Sequence, residues 1–113
     1  MINKQSTRFY SNRQEKKVAK TVRGVKTPNS GATAFKKGDV TTEDFLLECK
    51  TVTKPQKTFT IHLEWIEKNK EEAFAMNKPY SAVVIQFEPD GENYYVIDEK
   101  LFKMLMNYIQ EEN

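Results

Sequence analysis

The stretch Lys37-Gly38-Asp39-Val40-Thr41-Thr42-Glu43-Asp44-Phe45-Leu46-Leu47-Glu48-Cys49-Lys50 decides how this chain folds. Two β-prone runs flank the polar pair Glu43-Asp44, a pattern that predicts a β-hairpin. With Glu43-Asp44 as a two-residue turn, Thr42 pairs with Phe45 and Asp39 falls opposite Glu48. Opposed residues of an antiparallel pair share a face, with Cβ atoms about 4.5–5.5 Å apart. Strand alternation puts Lys50 on that same face and leaves Phe45, Leu47 and Cys49 for the core. Two carboxylates this close repel each other unless a cation sits between them.

Working outward, Ser11 reads as a helix N-cap, and Ser11-x-x-Gln14 fits a capping box. That leaves residues 1–10 as a flexible N-terminal arm and residues 11–113 as a single domain. The first helix should run to about Arg23, with Gly24 as its stop. Glu15 lies on the same stripe as Val18, Ala19 and Val22, so it faces inward, where an unpaired carboxylate is costly. Val25-Lys26-Thr27 suits a short strand, and Pro28-Asn29-Ser30-Gly31 a turn, followed by a mobile basic loop to Gly38. After the hairpin come a loop through Lys54 and Lys57, a helix over about 60–76, an apolar strand over 80–87 and a turn at Pro89-Asp90-Gly91. A returning strand then spans Tyr94 to Ile97, and Asp98 caps a last helix with the stripe Leu101, Phe102, Leu105, Tyr108, Ile109. Trp65, Phe74 and Phe102 are expected in the core. The order αβββαββα around one mixed β-sheet flanked by helices is an α/β fold.

At 113 residues the chain suits one domain. It has no apolar run near the roughly 20 residues of a membrane span and no apolar N-terminal leader, so a cytoplasmic protein without a membrane partner is expected. One cysteine, Cys49, and one histidine, His62, exclude an internal disulfide framework and a cysteine or multi-histidine metal site. Any metal must be held by oxygen ligands. The net charge of +2 hides a split: residues 1–58 carry 13 basic and 5 acidic side chains, residues 59–113 carry 5 and 11. Such asymmetry suits a cationic surface facing a polyanion.

The hairpin supplies a chemistry. Asp39, Glu48 and the backbone carbonyl of Cys49 could hold a divalent ion, with water and a phosphate oxygen completing its shell. Lys50 can position attacking water or stabilise charge on phosphate, and Glu15 can orient water or bind a second ion through water. Asp44 shares Glu48's face but lies roughly 13 Å away along the strand, too far for one ion. Two plainer readings stand beside this one. Glu48 and Lys50 could form a surface ion pair, and Glu15 could pair within its own helix.

Asp39…Glu48-Cys49-Lys50 resembles the D…(D/E)-x-K signature of the PD-(D/E)XK nuclease superfamily. Taken with Arg13-Gln14-Glu15 on a helix, the loop at Ser30 and Lys37-Gly38-Asp39-Val40, the chain resembles the archaeal-type Holliday junction resolvases and their phage relatives over about residues 11–54. Gly38 departs from the proline in the superfamily's name. The resemblance implies a restriction-endonuclease-like fold and a structure-selective DNA endonuclease with magnesium or manganese. Its substrate would be four-way junctions and its working form a homodimer, in a host's cytoplasm where the source is a phage. Glu15, Asp39, Glu48, Lys50 and Ser30 match the catalytic set. Arg13, Lys16, Lys36, Lys37, Lys54 and Lys57 are the candidate DNA contacts. A nicking or flap nuclease, and an inactive DNA-binding module, are the alternatives.

Overall fold

The computed structural model describes residues 7–27 and 39–112. Helix α1 (Thr7–Val22) begins ahead of the expected cap, so Ser11 lies inside it and residues 7–10 are helix rather than arm. Nothing in Thr7-Arg8-Phe9-Tyr10 breaks a helix. The Arg13 guanidinium sits 5.5 Å from the Phe9 ring one turn earlier, a spacing at which helical side chains support each other. Gln14 does not turn back to cap anything. It is fully buried, and its amide nitrogen donates to the carbonyls of Lys50 (3.0 Å) and Val84 (3.3 Å) and to Asn93 Oδ1 (3.2 Å).

The end of α1 is a Schellman motif. Gly24 N–H donates to Ala19 C=O and Arg23 N–H to Lys20 C=O. Arg23, not glycine, takes the left-handed position at φ 58°. Gly24 is required for another reason: a Cβ there would lie 2.5 Å from the Thr41 carbonyl oxygen. The close approach draws α1 against the sheet edge.

Five strands follow in one sheet: β1 (Val25–Lys26), β2 (Val40–Thr41), β3 (Phe45–Lys50), β4 (Tyr80–Gln86) and β5 (Asn93–Val96). They lie in sequence order, all antiparallel neighbours except β3 and β4, which are parallel. A parallel pair needs a crossover, and helix α2 (Leu63–Ala75) supplies it, packing on β3 and β4. The hairpin register is the expected one at Val40 opposite Leu47 and Thr41 opposite Leu46, but the pairing stops there: the Asp39 N–H also reaches the Leu47 carbonyl, as in a bulge, so Asp39 does not fall opposite Glu48 as expected. Thr42 Oγ1 closes the turn by accepting the N–H groups of Asp44 and Phe45.

The core has two sides. Val18 of α1 packs with Val40, Leu47, Cys49, Ala82 and Val84. On the opposite face Leu46, Val83 and Ile85 are buried under α2. Asn69 sits in the middle of that face, and its amide donates to the carbonyls of Leu46 and Ala82. β3 therefore buries both faces at Leu46 and Leu47, which explains the apolar start of the strand. Phe74, expected inside, is 84% exposed. The buried side of α2 runs through Asn69 and Ala73, and the next position round the helix points out.

Asp98 caps helix α3 (Glu99–Glu112) as expected, accepting Leu101 N–H at 2.9 Å. The stripe of α3 is not in the core, however. Leu101 is buried, whereas Phe102 is 55% and Tyr108 64% exposed. Among the described residues no helix is long and apolar enough to cross a membrane.

The two readings of α1 separate by measurement. Gln14→Ala should cost about 1–3 kcal/mol in urea unfolding, because three acceptors lose their donor. Ser11→Ala should stay within about 0.5 kcal/mol, as for a side chain that caps nothing.

Candidate active site

Asp39 stands where β2 begins, held from both sides. Its N–H donates to the Leu47 carbonyl and its own carbonyl accepts Thr27 N–H, each at 2.9 Å. Its Oδ2 accepts the Cys49 N–H at 2.7 Å. The carboxylate is thus pinned beside β3 where β2 would otherwise continue the ladder. Within one strand residue, N–H and C=O point to the same side. The Cys49 carbonyl is therefore directed toward Asp39 as well.

Glu48 and Lys50 alternate with the buried residues of β3 and share a face, Oε2 to Nζ 3.5 Å apart. Lys50 Nζ also lies 4.4 Å from the centre of the Trp65 ring. The ammonium is fixed by a carboxylate on one side and an aromatic face on the other. Glu15 enters from α1, its side chain only 12% exposed and its Oε1 3.8 Å from Lys26 Nζ. Glu15 also shares a hydrogen bond with Asp39.

Three carboxyls and two ammonium groups meet in a half-buried place, and negative charge is in excess. Burial, and then the charge of Asp39, push Glu15 and Glu48 each up to about 7. Asp39 is also raised, burial outweighing the Cys49 N–H and the charge of Lys50. Burial pushes the Cys49 thiol up strongly, so it stays protonated and serves as packing.

Among the described residues no three His, Cys, Asp or Glu side chains form a metal cluster. The donors that fit are two carboxylates, Asp39 and Glu48, with the Cys49 carbonyl. This is the sparse oxygen set that suits magnesium, which retains several waters. The unrelieved negative charge fits a divalent cation as well.

The structure brings together Glu15, Asp39, Glu48, Cys49 and Lys50. Ser30, Lys36 and Lys37 lie outside the described residues. Arg13 is engaged elsewhere: its Nε and Nη2 donate to Asp90 at 2.8 and 3.0 Å, a fork-on-carboxylate pair on the β4–β5 turn. Lys16, Lys54 and Lys57 are exposed. Sequence reading gave no role to Lys26 or Trp65. Lys26 sits on a strand of two residues, too short to show which way it points, and Trp65 resembles any core aromatic.

The raised carboxyls set a pH dependence. A folded-state pKa above the unfolded one contributes stability below the unfolded value, and that stability is lost as pH rises through the folded value. In chelator, the melting temperature should therefore fall between about pH 5 and pH 8. Glu48→Gln should flatten the slope, and an unchanged slope in both Glu15→Gln and Glu48→Gln would contradict the assignment. No protein-family model, curated protein or solved structure matches the chain.

Proposed function

We propose that this chain is a divalent-metal-dependent DNA endonuclease of restriction-endonuclease-like topology, acting on four-way junctions. The observation that carries the reading is the Asp39 carboxylate on the Cys49 N–H at 2.7 Å, on the strand that carries Glu48 and Lys50, whose side chains lie 3.5 Å apart. The order of elements, αβββαββα with a parallel β3–β4 pair, is consistent with it. So is the sequence resemblance.

Asp39, Glu48 and the Cys49 carbonyl would hold magnesium or manganese. Such an ion supplies a water of lowered pKa and offsets charge on the phosphate. The chain's own residues do the rest. Lys50, held between Glu48 and Trp65, would offset the charge that gathers on a phosphate oxygen. Glu15, raised to about 7 beside Asp39, can take up or release a proton at neutral pH. Lys26 balances it. Lys16, Lys54 and Lys57 are the exposed cations for the DNA backbone.

The test is cleavage of a labelled synthetic junction with magnesium, beside flap and linear duplex DNA. Asp39→Asn and Glu48→Gln should each lower junction cleavage by at least about 100-fold while retaining junction binding. Equal cutting of linear duplex removes the junction claim. Binding without turnover under magnesium and manganese removes the enzyme claim.

Metal titration offers a second check. Glu48 must ionise to become a ligand, so magnesium binding near neutral pH should release protons. Calorimetry in two buffers of different ionisation enthalpy reads the number released, and Glu48→Gln should reduce it.

A further inference from the structure

Five rings run in contact along one side of the molecule. Between ring centres, Tyr94 and Phe87 lie 5.7 Å apart, Phe87 and Phe59 6.1 Å, Phe59 and Trp65 6.3 Å, and Trp65 and His62 4.7 Å. The sheet sets where the row lies. Lys50, Ile85 and Tyr94 are register partners across β3, β4 and β5, so they share one face. Phe87 follows Ile85 by two residues, and its ring meets Tyr94 there. The other end of the row reaches the candidate active site, where Lys50 Nζ lies 4.4 Å from the Trp65 ring centre.

The rings are not sealed in a core. Tyr94 is 48% exposed, His62 is exposed, and Phe59, Trp65 and Phe87 are half-buried. The loop beside them is exposed from Thr53 to Thr58, and its Gln56 N–H donates to the Phe87 carbonyl at 2.8 Å. That bond ties Lys54 and Lys57 to the edge of the row, and neither has an ion-pair partner among the described residues. Acidic groups are present too: Glu48 on Lys50, Glu64 beside Trp65 in α2, and Glu92 two residues before Tyr94. Charge alone therefore does not choose the occupant, and the rings do. Aromatic faces next to unpaired lysines suit single-stranded nucleic acid, because every base has a π-face to stack. A paired duplex keeps its bases stacked on each other and would meet the lysines only.

We propose that the row from Tyr94 to His62 is a stacking platform for unpaired nucleotides, with Lys54 and Lys57 on their phosphates. Its place beside a cut phosphate rests on the nuclease reading, whereas the stacking itself does not. Together they make the substrate a DNA with unpaired bases next to the cut, as at an opened branch point.

Trp65 is the chain's one tryptophan, so its fluorescence reports on the row without a label. In chelator, an oligothymidylate of about 12 nucleotides should quench Trp65 and bind at least about 10-fold more tightly than an abasic strand of equal length and charge. Tyr94→Ala and His62→Ala alter exposed rings and keep the reporter. Each should weaken oligothymidylate binding by at least about 5-fold, with unchanged circular dichroism, and leave the affinity for the abasic strand as it was. Lys54→Glu with Lys57→Glu should weaken both strands alike. Equal affinity for the two strands, no binding of either, or oligothymidylate binding that neither ring variant weakens overturns the platform. Base-dependent binding by a chain that cuts no junction keeps the platform and removes the nuclease. Junction cutting by a chain indifferent to bases removes the platform and keeps the nuclease.

Discussion

The pairing of Val40 with Leu47 is the constraint on which the site depends. It holds Asp39 against Leu47 and Cys49, near enough to Glu48 for the charge of Asp39 to add to burial in raising the Glu48 carboxyl. A slip of one residue would send Glu48 to the α1 face among Val18 and Val84. The apolar pattern of β3 therefore fixes the register, and the register fixes the chemistry. Leu46 and Leu47, buried on opposite faces, leave no second choice.

Buried amides tie the helices to this hairpin. Gln14 joins α1 to β3, β4 and β5, and Asn69 joins α2 to β3 and β4. Each carries an amide oxygen without a partner among the described residues. An apolar residue would avoid that cost. The amide nitrogens give orientation in return. Gln14 immediately precedes Glu15, so its hold on the Lys50 carbonyl also sets how far Glu15 reaches toward Asp39.

Much of this was legible in the sequence. The hairpin, its two-residue turn, the element order and the Asp98 cap follow from strand alternation and turn chemistry, which act over a few residues. What failed depended on packing at a distance. Ser11 and Gln14 have the spacing of a capping box, but the same glutamine can serve a buried carbonyl instead, and only the assembled sheet decides. Phe74 and Phe102 are large and apolar, yet each lies about 100° round its helix from the residue that is buried. The position of Trp65 over Lys50 depends on where α2 docks.

The basic first half of the chain changes meaning in three dimensions. Arg13 pairs with Asp90, and Lys17 donates to the Gly91 carbonyl, so part of the cationic half is spent joining α1 to the β4–β5 turn. Lys26 and Lys50 face the buried carboxyls. The cations left for a polyanion are fewer than the count suggests, and among the described residues they include Lys16, Lys54 and Lys57. Exposed lysines contribute affinity without reading sequence, and that contribution weakens as salt rises. Under the proposed function, selectivity between one DNA form and another would then rest on shape rather than on these lysines.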